Sequence, residues 1–319
     1  MIITITPNPS FDRTIALDEL HPGEVHRALS TEVELGGKGI NVTRALLRAG
    51  FESVAVAPAG STDRAVMVDL AAASDIPTTG LRLVTIAGQV RSNITVLARD
   101  GETTKLNEPG PVVDSGEIDD ILAVIADMAA RSEADSSWLA GCGSLPLGMT
   151  SDFYRSLVKI GETYGVPVAV DSSGPALAAA VEAGCNLIKP NHEELGQLVG
   201  HPLLTVGDAI EAAKGVVGQG VDTVLVTLGG DGALLVDSAQ TVFGTASSDR
   251  VVNTVGAGDA FLAGALSAGG YGPDALAEGL AWGRAAVRSP QTSFPAIQAE
   301  DRALAGLSTE IDLSIELTE

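Results

Sequence analysis

The sequence predicts an α/β protein in which a doubly wound, mostly parallel sheet carries helices on both faces, with a small β-sheet lid beside it. Strand-like and helix-like segments alternate from about residue 110 onward, as in successive βαβ units. Hydrophobic residues make up 45% of the chain but aromatic residues only 3%, so buried strands are expected as short Val, Ile and Leu runs. The 319 residues are enough for one large domain, which we take to span residues 1–319.

Local patterns predict the elements in order. An apolar run at 2–6, stopped by Pro7, predicts the first strand, and a glycine-rich turn at 36–39 leads into the first helix. Further strands are predicted at 53–57, 93–99, 137–140, 166–170, 186–188, 223–227 and 233–236. Helices are predicted at 63–74, 115–131, 150–164, 174–183, 192–199, 206–218, 257–268 and 273–287. The acidic residues after about 305 are poorly patterned, which indicates either a helix or a frayed end.

Two segments, residues 11–35 and 88–108, interrupt this alternation. We interpret them as short antiparallel strands of a second sheet inserted in the domain as a lid; a pair of long surface loops is the alternative. Neither segment can bury a core alone, and an exposed sheet invites pairing, so we expect a homodimer joined through the lid. The apolar residues expected at that contact are Ile15, Leu17, Leu35, Ile94, Val96 and Leu97.

The charge of the chain limits its partners. A formal net charge of −22 argues against nucleic acid and anionic membranes. Any anion site must gather its positive charge locally, and the chain has five lysines: Lys38, Lys105, Lys159, Lys189 and Lys214. The two cysteines lack metal-site spacing, and no signal peptide or membrane-spanning run is evident, so we expect a cytoplasmic protein with reduced thiols.

The segment NTVGAGDAF, residues 253–261, is the strongest candidate for chemistry. Gly256, Ala257 and Gly258 let a ligand approach the backbone, and Asp259 lies in the first turn of the predicted helix. Free N–H groups there form an anion site, and a neighbouring carboxylate could take a proton from a hydroxyl during phosphoryl transfer. An ordinary aspartate that stabilises the helix end is the alternative. The segment lacks the third glycine of a dinucleotide fingerprint, and the chain has no phosphate-binding GxxxxGK[ST] loop.

A second glycine-rich turn, GGKGINV at residues 36–42, precedes the first predicted helix. Lys38 could bind an anion as a point charge, and Asn41 could hydrogen-bond a hydroxyl through its amide. A tight turn with a solvated lysine is the alternative.

Together these two segments resemble the ribokinase-like carbohydrate kinase family, also called PfkB. Further matches lie between and around them, at residues 7–12, 105–110, 143–146, 189–194 and 227–232, so the resemblance covers nearly the whole chain. The lysine in the first glycine turn and the sequence NEPG at 107–110 are similar to the branch of this family that acts on phosphorylated sugars.

On the sugar side, the resemblance implies that Asp12, Gly37 and Asn41 bind sugar hydroxyls and that Ser144 is a further polar contact. It implies that Lys38, Arg91 and Lys105 hold the phosphate of the substrate. A turn-capping role for Asp12 and a solvated strand face for Arg91 and Lys105 are the alternatives.

On the nucleotide side, the resemblance implies that ATP contacts Lys189, Asn191, Thr227, Gly229 and Gly232, with adenine near residues 286–291. Glu194, in the family's Asn-x-x-Glu motif, would organise Mg²⁺ through water. A helix cap formed by Asn191 and Glu194 is the alternative.

The implied activity is transfer of the ATP γ-phosphate to fructose 1-phosphate, with Asp259 as the base and the amides at 256–259 as the anion hole. Tagatose 6-phosphate or fructose 6-phosphate is the alternative acceptor. From other classes, a non-catalytic sugar-phosphate sensor is disfavoured by the intact Asp259, and a dehydrogenase by the missing glycine fingerprint.

Overall fold

The main sheet contains ten strands in the order β14-β13-β12-β11-β10-β9-β8-β1-β4-β5. The computed structural model describes residues 1–99, 101–133, 136–247, 251–289 and 294–318. Seven strands run parallel: β1 (Ile2–Ile5), β4 (Ser53–Gly60), β5 (Leu81–Ile86), β8 (Trp138–Cys142), β9 (Val168–Asp171), β10 (Leu187–Ile188) and β11 (Thr223–Thr227). Three antiparallel strands extend one edge: β12 (Ala233–Asp237), β13 (Thr241–Ala246) and β14 (Ala305–Ser308). The predicted mostly parallel sheet is confirmed.

Helices cover both faces of this sheet. They are α1 (Lys38–Arg48), α2 (Arg64–Ala73), α3 (Ser115–Ala130), α4 (Asp152–Tyr164), α5 (Gly174–Glu182), α6 (His192–Val199), α7 (Val206–Val217), α8 (Ala257–Ser267), α9 (Gly272–Val287) and α10 (Ala299–Ala303). Successive strand residues enter different cores: Val224 and Val226 pack with α3–α7, whereas Leu225 packs with α1, α8 and α9. Because both faces are buried, the strands read as continuous apolar runs.

The second sheet has four strands in the order β3-β2-β6-β7: β3 (Ser30–Gly36), β2 (Ser10–Leu17), β6 (Arg91–Ala98) and β7 (Thr103–Asn107). It is formed by the two segments that interrupt the alternation, and it extends the first of them by one residue at each end, to Ser10 and Gly36. The two hairpins are antiparallel as expected, but β2 and β6 pair in parallel, which the sequence reading did not anticipate. This arrangement sets Ser10 opposite Arg91 and Asp12 opposite Asn93.

The apolar surface of the small sheet differs from the prediction. Leu17, Leu35 and Val96 are buried within the single chain, so they offer no surface to a second copy. Leu97 is exposed as expected, and Leu106 of β7 is 57% exposed. Exposed Val25 and Leu29, in the segment between β2 and β3, add apolar surface that the sequence reading had not assigned to this face.

Several elements near the edges of the main sheet were missed. The sequence reading placed no strand at β5, β13 or β14 and no helix at α10. The expectation of a helix or a frayed end after residue 305 is wrong, because residues 305–308 form β14, paired with β13. None of the helices in the described ranges combines the length and apolar character needed to cross a bilayer.

Candidate active site

Several of the predicted site residues lie where the parallel strands of the main sheet reach their carboxyl ends, the usual position of ligand sites in α/β sheets. Asp171 is the last residue of β9, Lys189 follows β10, and Thr227 is the last residue of β11. The N-termini of α1 and α8 face the same region, because Lys38 of α1 contacts Asp171 and Asn41 of α1 contacts Asp259 of α8. Residues from distant parts of the chain therefore meet at one point.

Asp259 lies in the first turn of α8, with 7% of its surface exposed. Gly256 precedes the helix with φ +81°, a conformation that glycine adopts without strain, and as a glycine at the N-cap it supplies no side-chain cap to the helix start. A Cβ at Gly258 would lie 3.4 Å from the Lys189 ammonium, so that ammonium sits directly over the first turn. The free amides, the helix dipole and Lys189 together form a place suited to an anion.

The Asp259 carboxylate has the properties of a base working near neutral pH. Burial raises the pKa of Asp259 to about 6, and the nearby charge of Asp171 adds to that effect. The Asn41 amide, which donates to Asp259 Oδ2 at 2.8 Å, opposes it, as do the charges of Lys38 and Lys189. The other end of the Asn41 amide, Oδ1, is buried and accepts no hydrogen bond within the described residues. A carboxylate with this pKa is mostly ionised at pH 7 yet remains a useful proton acceptor.

Asp171, which the sequence reading did not single out, organises the positive charge of the site. Its side chain is buried, and it pairs with Lys38 Nζ at 2.8 Å through Oδ1 and with Lys189 Nζ at 3.3 Å through Oδ2. Burial alone would raise the pKa of Asp171, but the two ammonium groups hold it below its ordinary value. In return, the charge of Asp171 raises the pKa of Lys38. Lys38 therefore stays charged.

Asp12 lies on the small sheet at the centre of a polar cluster. Its Oδ1 accepts hydrogen bonds from Ser10 Oγ at 2.7 Å and from Asn93 Nδ2 at 3.0 Å. A Cβ at Gly36 would overlap the Asp12 carboxylate, so the glycine turn makes room for this side chain. Asp12 Oδ2 takes no part in these two bonds. The cluster fixes the carboxylate in one orientation, and Ser10 and Asn93 were missed because their importance depends on the strand register.

The predicted basic groups do not lie together in the single chain. Arg91 begins β6 beside Ser10, and its guanidinium donates to the Glu108 carbonyl at 2.9 Å; burial lowers the pKa of Arg91. Lys105 is exposed on the edge strand β7 opposite Thr95, four residues along β6 from Arg91, which is about 13 Å. Lys38 instead lies beside Asp171, close to the start of α8.

Ser144 lies close to the segment that follows β1. The Asn8 amide donates to Ser144 Oγ at 3.3 Å and to the Pro109 carbonyl at 3.1 Å. Asn8 therefore links its own segment to those of Pro109 and Ser144. Asn8 is buried, and its Oδ1 has no hydrogen-bond partner in the described ranges, so this oxygen is available to accept a bond. Gly37, with φ +127°, packs against Thr6 just beyond the same strand.

Asn191 and Glu194 form a reciprocal helix cap at the start of α6. Asn191 N–H donates to Glu194 Oε2 at 2.9 Å, and Glu194 N–H donates to Asn191 Oδ1 at 2.7 Å. Glu194 Oε1 is not part of this cap. Mg²⁺ commonly binds one or two protein carboxylates together with phosphate oxygens and water, so a single available carboxylate oxygen is compatible with it. The described residues contain no cluster of three metal-ligating side chains.

The predicted nucleotide loop follows β11. Thr227 N–H donates to the Pro190 carbonyl at 3.0 Å, which holds this loop beside the α6 cap. Gly229 and Gly232 have φ of +62° and +117° and bracket a tight turn at Gly229–Asp231. Of the predicted adenine region, residues 286–289 end α9 and the turn after it, whereas Pro290 and Gln291 lie outside the described residues.

Known proteins similar to this chain are carbohydrate kinases. The model of the pfkB family carbohydrate kinases matches residues 6–299. The 1-phosphofructokinase of Haloferax volcanii is 36% identical, covering 93% of this chain and 94% of that protein. The 1-phosphofructokinase of Rhodobacter capsulatus is 32% identical, covering 87% and 86%. The crystal structure of phosphofructokinase-2 from Escherichia coli in complex with fructose-6-phosphate superposes with a TM-score of 0.83 at 28% identity, covering 95% of this chain and 97% of that one.

Proposed function

The chain belongs to the pfkB family of carbohydrate kinases, and from that premise we propose that it transfers the γ-phosphoryl group of ATP to the free 6-hydroxyl of fructose 1-phosphate. The products are fructose 1,6-bisphosphate and ADP. The observation that carries the proposal is the placement of a buried carboxylate, Asp259, in an uncapped helix turn beside Lys189. The 1-phosphofructokinase names of the two relatives support this choice of acceptor.

In the proposed reaction, Asp259 takes the proton of the 6-hydroxyl while the hydroxyl oxygen attacks the γ-phosphorus of ATP. The bond between the γ-phosphorus and the oxygen that bridges it to the β-phosphate breaks, and ADP leaves. The amides at 256–259 and the ammonium of Lys189 receive the negative charge of the group in transfer. Lys38, held by Asp171 near the same helix start, adds positive charge at this end of the sugar. Asp171 is therefore a positioning residue for both lysines.

The opposite end of the sugar would rest on the small sheet. Asp12, fixed by Ser10 and Asn93, offers an oxygen to sugar hydroxyls, and Asn41 links the sugar site to the base. Arg91 and Lys105 would hold the substrate's own phosphate. The two basic groups arise about 13 Å apart along paired strands of one sheet, so their long side chains would have to converge on an anion held between them. Closure of the sheet as a lid would exclude water from that site.

On the nucleotide side, Lys189, Asn191, Thr227, Gly229 and Gly232 would border ATP. Glu194 would hold Mg²⁺ through water by its uncapped Oε1, and the ion would neutralise charge on the phosphates. For assembly, we propose a homodimer through the small sheet. Four exposed apolar residues support a contact on that side: Leu97 and Leu106 in the sheet, and Val25 and Leu29 in the segment between β2 and β3.

A panel of acceptors with ATP, followed by ADP release, tests the proposal. Fructose 1-phosphate should give the highest kcat/KM, with fructose 6-phosphate and tagatose 6-phosphate as the rival acceptors and unphosphorylated fructose as the control. Fructose 6-phosphate is the second candidate acceptor, because the similar Escherichia coli structure is a complex with that sugar phosphate. If none of these sugars causes ADP release, the proposed phosphosugar kinase activity is refuted. If fructose is used as well as fructose 1-phosphate, the proposed phosphate clamp is refuted.

A further inference from the structure

A strap, residues 311–318, crosses the start of α7 and ends at the predicted nucleotide loop. It lies beyond residues 6–299, the part of the chain that the family model matches. Three apolar residues of the strap, Ile311, Ile315 and Leu317, are partly buried against the larger core of the main sheet. The strap is thus docked on the protein rather than extended into solvent.

Main-chain hydrogen bonds fix the register of the strap. The first two amides of α7, at Val206 and Gly207, donate to the carbonyls of Ile315 at 2.9 Å and Leu313 at 3.0 Å. The first N–H groups of a helix have no partner within it, so the strap supplies acceptors that α7 lacks. Leu317 N–H continues the same ladder to the Leu204 carbonyl at 2.9 Å.

Gly207 is shaped for this contact. A Cβ there would lie 3.0 Å from the Leu313 carbonyl oxygen and 3.2 Å from Leu313 Cβ, closer than most real contacts of that kind. The helix start and the strap therefore fit each other at backbone distance.

The end of the strap holds the turn of the nucleotide loop. Thr318 donates to Asp231 Oδ2 twice, from its main-chain N–H at 2.9 Å and from its hydroxyl at 2.8 Å. Asp231 closes the turn that begins at Gly229, and the Gly232 carbonyl accepts from Leu228 N–H at 2.9 Å to complete it. The carboxylate is thus the point where the strap meets the loop.

We propose that Thr318, acting through Asp231, is a positioning residue for the nucleotide loop and that the strap tunes the affinity for ATP; this rests on the proposed assignment of that loop to ATP. The loop contains Gly229, Gly230 and Gly232, and glycine loses more conformational freedom on ordering than any other residue. A tie that holds the turn in its binding conformation removes part of that entropic cost before ATP arrives. Weakening the tie lowers the competent fraction, and the apparent affinity falls by that fraction.

The first experiment compares Thr318→Val with the wild type by ATP titration and steady-state kinetics. This change removes the hydroxyl donor but keeps the main-chain bond and the docked strap. We expect the Kd and KM for ATP to rise about three- to tenfold, the range for the loss of one solvent-exposed hydrogen bond, with kcat and the KM for the phosphosugar unchanged. Thr318→Ser should restore the wild-type values.

The matched control is Ser314→Ala, which removes a hydroxyl of the same strap that bonds within the strap, to Asp312. It should leave the KM for ATP unchanged. Thr318→Val with ATP values within twofold of the wild type, or with an equal rise for the phosphosugar, would overturn the proposal. A wild-type protein that binds no ATP would instead overturn the proposed function.

Amide hydrogen exchange distinguishes a positioning role of the strap from a purely structural one, because only a positioning role makes exchange in the strap depend on ATP. Coupling between two sites is reciprocal, so an ATP analogue should slow amide exchange in residues 311–318 of the wild type. The phosphosugar alone should not, and Thr318→Val should weaken the ATP effect. Equal protection by both ligands would contradict the assignment of the strap to the nucleotide loop.

Discussion

Replacing Asp259 with asparagine should make the ligand-free protein more stable at pH 7.5 while it removes activity. The ordinary reading of an aspartate in a first helix turn gives the opposite sign, because such a residue stabilises the helix by about 0.3–1 kcal/mol. The decisive fact is that the pKa of Asp259 is raised from 3.8 to about 6 by burial and by the charge of Asp171. An ionised group that is buried in this way costs folding free energy, and the amide does not.

The magnitude follows from linkage. The unfolded chain releases the proton of Asp259 near 3.8 and the folded protein near 6, so stability falls as the pH rises between these values. The difference corresponds to about 3 kcal/mol above pH 6. Subtracting the lost helix-dipole term leaves a gain of about 2 kcal/mol for Asp259→Asn at pH 7.5, or about 3 °C in Tm for a chain of this size. The gain should vanish below about pH 4, where the carboxyl is protonated in both states.

The assay is thermal unfolding of wild type and variant between pH 4 and 8, with turnover measured in parallel. The matched control is Asp208→Asn, which changes an aspartate at the same turn position of α7. There, hydrogen bonds from the Leu204 and Thr205 amides lower the pKa of Asp208, so that variant should lose stability at pH 7.5 and the loss should shrink in acid. If Asp259→Asn behaves like Asp208→Asn, or turns over within tenfold of the wild type, the reasoning about this carboxylate is refuted.

Three further predictions concern the base, the phosphate clamp and the assembly of the protein. The kcat should rise with pH through about 6, since Asp259 must be ionised to act as the base. Asp171→Asn should lower kcat and move this rise in kcat to lower pH, because it removes a negative charge near Asp259 and frees Lys38 and Lys189. A rise at an unchanged pH would argue against electrostatic coupling between Asp171 and Asp259. Arg91→Ala and Lys105→Ala should each raise the KM for the phosphosugar about tenfold or more, with little change in the KM for ATP, whereas Lys38→Ala should lower kcat as well. Equal effects on both KM values would contradict the proposed phosphate clamp. Light scattering at micromolar concentration should give twice the 32.4 kDa chain mass, and a fully active monomer would rule out the dimer.

Sequence patterns were sufficient for the central elements of the fold and insufficient at its edge. The buried strands β8–β11 read as continuous apolar runs, and periodicity located eight of the helices to within a few residues. Residues 305–308, with the sequence AGLS, have little β propensity of their own and form a strand because β13 offers an edge. Pairing of that kind depends on tertiary contacts that no local pattern records.

The site shows the same division. Asp259 and Asn41 stand in motifs whose glycine turns predict close approach of a ligand to the backbone, and Lys189 stands in the matched segment 189–194. The structure brings the three residues together. Asp171 stands in no such motif, and its role depends on two lysines that are distant in sequence, so only the fold reveals it. For Asn191 and Glu194 the sequence allowed either a cap or a metal-site role. The structure contains the cap, and the magnesium role stays a prediction.

The parallel pairing of β2 with β6 has a consequence for the order of folding. Each hairpin of the small sheet is local, but joining them requires Ser10 to meet Arg91, with β3, α1, β4, α2 and β5 lying between. Closing so long a loop becomes favourable only after β1, β4 and β5 have paired. We therefore expect the small sheet to assemble last and to open first, as a separate cooperative unit. The small sheet, which we propose holds the sugar, can then open while the main sheet stays folded.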